Sequence, residues 1–239
     1  MKLKLHLLAL IVLNLASVSW VFAEEPLAIG LNFVSDDEDS RLGAETRAGA
    51  VPHPNWNDVS QKGADEAQGF VNSRGEDISL KIEWRHHRNR RRGGSTPLEG
   101  EADPNQKLFV ATVSTPITFT NIPPEFAENG YSVIVYFLPY EANERPLKII
   151  VGLPAEDGMR QEELDARWAF TMKKEDLSKM KRDPLVRTDG YSFGDGEPGG
   201  NYVVFEGLNE QHLVIGASRW INEGTVSGGT ICAIQFVAD

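Results

Sequence analysis

Y-S-V-I-V-Y-F-L, residues 131–138, is apolar on both of its faces. A strand with one wet face alternates between oily and polar residues, whereas a run that is oily on both sides needs cover above and below. The stretch therefore predicts a central strand enclosed by other parts of the chain. Just before it, P-P-E-F-A-E-N-G, residues 123–130, reads as a single helical turn. Proline suits its first positions, and Gly130 can end it in a left-handed conformation.

On either side of this segment the period stays near two. I-S-L-K-I-E-W-R, residues 78–85, puts Ile78, Leu80, Ile82 and Trp84 on one face. Residues 27–33 do the same with Leu27, Ile29, Leu31 and Phe33. Further strands are expected over 107–113, 117–120, 147–151, 167–172, 202–206, 212–216 and 230–237. Helical signals are confined to the turn at 123–130 and a short segment at 173–181. About ten short strands separated by Gly, Pro and Asn predict an all-β fold, an antiparallel β-sandwich of jelly-roll type with one or two short helices.

Charge and cysteine bound the setting. Lys2 and Lys4 precede a run from Leu7 to Phe22 that is apolar apart from Asn14, Ser17 and Ser19 and closes on Val21-Phe22-Ala23. This has the layout of a secretory signal peptide spanning 1–23, and the run is shorter than the roughly 20 residues of a membrane-spanning helix. The expected mature chain, residues 24–239, is read as one domain, secreted or periplasmic, with no membrane span after signal cleavage. It keeps 22 basic and 35 acidic residues, a net charge of −13. Such a balance argues against nucleic acid as a partner. Cys232 is the single cysteine, so no internal disulfide can form, and its alternating apolar surroundings read as a buried small hydrophobe.

Motifs of chemistry are sparse. The sequence contains no G-x-S-x-G, H-E-x-x-H, P-loop or Rossmann glycine pattern, and a pair of glycosidase carboxylates cannot be located among distant strands. S-D-D-E-D-S, residues 35–40, offers through Asp36, Asp37 and Asp39 the hard oxygens calcium prefers, and Asp195 and Glu197 on a glycine-rich loop could join them. The consecutive spacing matches no EF-hand, and a solvated acidic loop is the favoured reading. No other cofactor is implied. R-H-H-R-N-R-R-R, residues 85–92, is either an anion clamp or a loop paired with the protein's own acids.

The aromatic residues carry the binding hypothesis. Trp84 and Trp168 stand in alternating strands, with Phe170 and Met172 expected beside Trp168 on the core face. Trp56, in V-P-H-P-N-W-N-D, and Trp220 lie at strand ends or in loops. An aromatic ring beside Asn, Asp and Arg suits a sugar, because the ring covers C–H surface while the polar groups take hydroxyls. Asn55, Trp56, Asn57, Asp58, Arg219 and Trp220 are the ligand contacts expected on this basis.

Four stretches together resemble a group of uncharacterised secreted bacterial domains. They are A-G-A-V-P-H-P-N-W-N (48–57), I-P-P-E-F-A-E-N-G-Y-S-V-I-V-Y-F (122–137), G-N-Y-V-V-F-E-G-L (200–208) and C-A-I-Q-F-V (232–237). The wider look is that of galactose-binding-like or malectin-like β-sandwiches. Residues 140–190 and the basic run lie outside the likeness, and Cys232-Ala233 replaces an Asn-Gly that the group carries before Ile-Gln. The resemblance implies a framework role for N-W-N, with Trp56 a plug over one end of the sandwich and Asn55 and Asn57 bonding loop backbone. The group brings no established activity, and its link to carbohydrate is an analogy of fold; the sequence is read as a non-catalytic binding module that takes polysaccharide through loops at one end of the sandwich. The rivals are a structural protein that contacts envelope or matrix proteins, and a hydrolase.

Overall fold

A computed structural model describes residues 25–34, 40–60, 66–84, 103–113, 115–137, 147–155, 160–170, 185–188, 190–191, 199–219 and 231–239. Its strands are β1 (Ala28–Val34), β2 (Asn57–Ser60), β3 (Glu66–Ala67), β4 (Phe70–Val71), β5 (Asp77–Ile78), β6 (Lys81–Trp84), β7 (Ile117–Thr120) and β8 (Tyr131–Phe137). They continue with β9 (Leu147–Pro154), β10 (Arg160–Ala169), β11 (Tyr202–Leu208), β12 (Leu213–Arg219) and β13 (Ile231–Ala238). Two single-turn helices, α1 (Pro104–Lys107) and α2 (Pro124–Ala127), complete the described elements.

One sheet runs β11-β8-β13-β1-β2 and the other β10-β9-β12-β7-β6-β3. From β7 to β13 each strand is followed by one in the opposite sheet, except for the β9–β10 pair. This alternation, with β1 set beside β13, is jelly-roll connectivity. The sheets meet through their inner faces. Ile29, Leu31 and Phe33 of β1 and Val133, Val135 and Phe137 of β8 join Ile117, Phe119, Ile149, Val151 and Ile215 in one buried cluster. Phe119 meets Phe236 at 5.2 Å between ring centroids, and Phe33 meets Trp84 at 6.3 Å, each pair joining one sheet to the other. With some 30 buried apolar side chains in that cluster, at roughly 1.5–3 kcal/mol each, hydrophobic burial stabilises the fold without a covalent link.

The double-sided reading holds over the described residues 131–137. Tyr131, Val133, Val135 and Phe137 face the core between the sheets, while Ile134 and Tyr136 are buried on the outer side. The turn before it is α2, with prolines at its start, and Gly130 has φ +90°.

Four expectations are corrected. β1 and β2 pair in parallel, so the antiparallel description fails at that edge. Residues 107–113 are not a strand. Asp103 caps α1 by accepting from the Asn105 N–H at 2.9 Å, and the following Leu108 and Phe109 are buried as cover on a sheet's outer face. Being oily on both sides made the segment look strand-like, but it lies over a sheet rather than within one. The run 78–85 divides, with Ile78 in the β4–β5 pair and β6 beginning at Lys81. Finally, Ala169 rather than Trp168 enters the core, because the register pairs Ala169 with the buried Leu147 and sets Trp168 opposite Lys148 on the outer face. The expected helix at 173–181 lies outside the described residues. Among those described, no helix is long and apolar enough to cross a membrane.

Candidate functional site

The N-W-N-D stretch brings the chain back beside β1 after a long excursion. Asn55 takes a left-handed backbone, φ 59°, a conformation that asparagine tolerates better than most residues. Its side-chain amide donates to Ser73 O at 3.0 Å, and its backbone N–H donates to Ala44 O at 2.8 Å. Asn57 Nδ2 donates to Gly30 O (3.0 Å) and Val71 O (2.8 Å), and its Oδ1 accepts from the Val71 N–H at 2.8 Å. One side chain thus supplies hydrogen bonds to both β1 and β4. The Asp58 carboxylate accepts from Asn32 Nδ2 at 2.9 Å and from the Leu42 N–H. Burial raises its pKa above the usual carboxylate value, opposed by those two hydrogen bonds and by Arg41 and Lys107.

Trp56 lies between these groups and is 5% exposed. Its ring covers Gly30, where an added Cβ would stand 2.4 Å from Cδ2. Glycine is required at that point of β1 so that the indole can approach the sheet. The Nε1–H donates to Ala48 O at 3.1 Å. His53 stacks on the ring at 5.0 Å and 10° between planes, and Tyr136 meets it edge-on at 6.2 Å. Around it, Leu42, Ala48, Leu108, Phe109, Ile134, Val204, Cys232 and Ala233 form a second buried cluster on the outer face of the five-stranded sheet.

A polar skeleton fixes the loop to the sheet. Tyr136 OH donates to Gln235 Oε1 and accepts from the Ala50 N–H, both at 2.7 Å, and Gln235 Nε2 donates to Val51 O at 2.6 Å. Complete burial pushes the Tyr136 phenol well above its ordinary range. His53 Nδ1 donates to Pro54 O at 2.6 Å, and its buried Nε2 has no hydrogen-bond partner among the described residues. Desolvation lowers its pKa from 6.5 to about 4, and the bond to Pro54 only partly offsets this. Arg47 adds to the lowering and Glu25 opposes it.

Asn55, Trp56, Asn57 and Asp58 are therefore brought together, but they face the protein's own backbone. Trp56 is buried over Gly30, on the outer face of the five-stranded sheet rather than over one end of the sandwich. Arg219 ends β12 opposite Leu147. Trp220, the calcium candidates Asp36, Asp37, Asp39, Asp195 and Glu197, and the basic run 85–92 lie outside the described residues. Among the described residues, no group of three His, Cys, Asp or Glu side chains is placed to hold a metal.

The outer face of the six-stranded sheet is built differently. Register places Trp168 beside Lys148, Ala166 beside Ile150, and Ile150 beside Gly216. Lys148 Nζ pairs with Glu163 at 3.3 Å. A Cβ built on Gly216, in the middle of this sheet, would meet nothing within 4 Å. At the neighbouring edge, Arg167 is 7% exposed and pairs with Asp165, while its guanidinium lies 4.0 Å from the centroid of Tyr191, a ring 75% exposed. Sequence reading missed both. Arg167 looks like an outward polar residue of an alternating strand, and Tyr191 is one aromatic in a glycine-rich loop. No family model, curated protein or solved structure matches this chain.

Proposed function

We propose that this protein is an exported, non-catalytic binding module whose ligand is carbohydrate, taken on the outer face of the six-stranded sheet and its adjoining edge. The observation that carries this reading is the construction of that face. Small residues, Gly216 and Ala166, flank Ile150, and Trp168, Lys148 and Glu163 stand around them. A shallow floor with an aromatic and charged, hydrogen-bonding groups beside it suits a chain of sugar rings, which needs C–H contact below and polar partners at the sides. The 55–58 cluster contributes by support. It covers the opposite outer face, that of the five-stranded sheet. Export rests on the leading segment 1–23, and the likeness to galactose-binding-like sandwiches adds carbohydrate as the ligand class by analogy of fold.

The test is a glycan array probed with residues 24–239, with and without calcium. Retention on at least one polysaccharide class is expected. Failure to bind any would remove carbohydrate and favour a structural protein contacting envelope or matrix proteins. Release of reducing sugar from a bound polysaccharide would make it a hydrolase instead.

A further inference from the structure

Tyr191 is the one large hydrophobic residue among those described that stands exposed, and it does not stand loosely. One face of its ring rests on the Arg167 guanidinium, 4.0 Å from the centroid. Arg167 is itself nearly buried, pairs with Asp165, and lies 5.4 Å from the ring of Phe205 in the core. Gly190, the preceding residue, exchanges two backbone hydrogen bonds with Trp168, at 2.7 and 3.1 Å. The ring is thus seated from below by a fixed cation and from behind by a strand bridge. A single exposed aromatic is ordinary on a protein surface. One supported by a desolvated arginine is costly to build, because that charge must be compensated within the protein.

We infer that Tyr191 is the anchoring platform of the carbohydrate site, stacking its open face on a neutral pyranose ring of a polysaccharide. This rests on the carbohydrate reading above and gives it a residue. Three arguments select the ligand. A ring held by its neighbours loses little conformational freedom on binding, which favours stacking of a weakly held sugar. A cation on the hidden face draws on the ring's electron density, so the open face disfavours a second cation such as a quaternary ammonium or charged amino sugar. The net charge of −13 expected for residues 24–239 disfavours polyanions such as uronate polymers. Trp168 follows Arg167 on β10, and its register puts it on the outer sheet face.

The experiment compares residues 24–239 with Tyr191→Ala and Tyr191→Phe on a panel of neutral polysaccharides (glucans, galactans, mannans, xylans) and acidic ones (alginate, polygalacturonate). Calorimetry on the best-bound oligosaccharide then supplies dissociation constants. We expect the unaltered protein to bind a neutral member, Tyr191→Ala to bind it about tenfold more weakly, and Tyr191→Phe to stay within about threefold. Melting curves of all three should coincide. Equal affinity of Tyr191→Ala overturns the platform and leaves the carbohydrate reading standing. Binding confined to acidic members overturns the neutral ligand. A lowered melting temperature for Tyr191→Ala, with affinity unchanged in the folded fraction, makes Tyr191 an edge cover and overturns the inference. No binding by the unaltered protein to any member overturns both readings.

Discussion

The two outer faces of the sandwich are finished in opposite ways. Over the five-stranded sheet, residues 40–56 and 103–110 lay down a second apolar layer, centred on Trp56 and fastened by Tyr136 and Gln235. Over the six-stranded sheet, the described surface has a glycine with open space above it and an ion pair between Lys148 and Glu163. Both faces carry a tryptophan on the sheet or against it, yet only Trp56 is driven to 5% exposure. A tryptophan in a loop says nothing by itself about ligands. What decides is whether the strand beneath it has given up its side chain to receive the ring, as β1 does at Gly30.

The sharpest way to break this contrast is Trp56→Ala. Emptying the site should cost about 3–5 kcal/mol. At about 2–4 °C per kcal/mol for a domain of this size, the melting temperature should fall by roughly 10 °C. A shift under 2 °C would mean that the layer over the five-stranded sheet contributes little and that the faces are alike in energy.

Next in size is an acid weakness confined to the covered face. The folded pKa of His53, about 4, lies below its ordinary 6.5. The neutral ring is the form the fold accepts. Its contribution is fully present above pH 6.5 and is lost as pH falls towards 4, up to about 3 kcal/mol. Urea titrations at pH 7.5 and 4.5 should show this loss, and His53→Gln should flatten that part of the pH dependence. An unchanged slope in the variant would assign the acid sensitivity to other groups.

The smallest effect belongs to the open face. Gly216→Ala should alter stability by less than about 1 kcal/mol, with the sign towards a gain, since alanine reduces the freedom of the unfolded chain and nothing among the described residues stands within 4 Å to oppose it. A large loss would show that the face is covered after all.

Much of this architecture was legible. Strand patterning indicated β1, β7, β9, β11, β12 and β13, and the two-sided oiliness of 131–138 indicated β8 and announced an outer layer before any loop could be assigned to it. The signals that failed did so for physical reasons. Leu108 and Phe109 are as apolar as any strand residue, and pattern alone cannot separate a segment within a sheet from one lying upon it. Trp168 reads as a core residue because Phe170 and Met172 share its parity, whereas the packing of β10 turns Ala169 inward. Asn57 and Asp58 looked like ligand-facing polar groups because sequence does not reveal that the backbones of Gly30, Val71 and Leu42 would meet them. The seat beneath Tyr191 depends on a contact between residues 167 and 191 that no local pattern foretells.

The fit of indole on bare backbone at Gly30 ties two distant positions into one unit of inheritance. A methyl group gained at 30 leaves no room for the ring at 56, and a smaller residue at 56 uncovers the strand at 30. In any lineage of this protein, the two should change together or stay as they are.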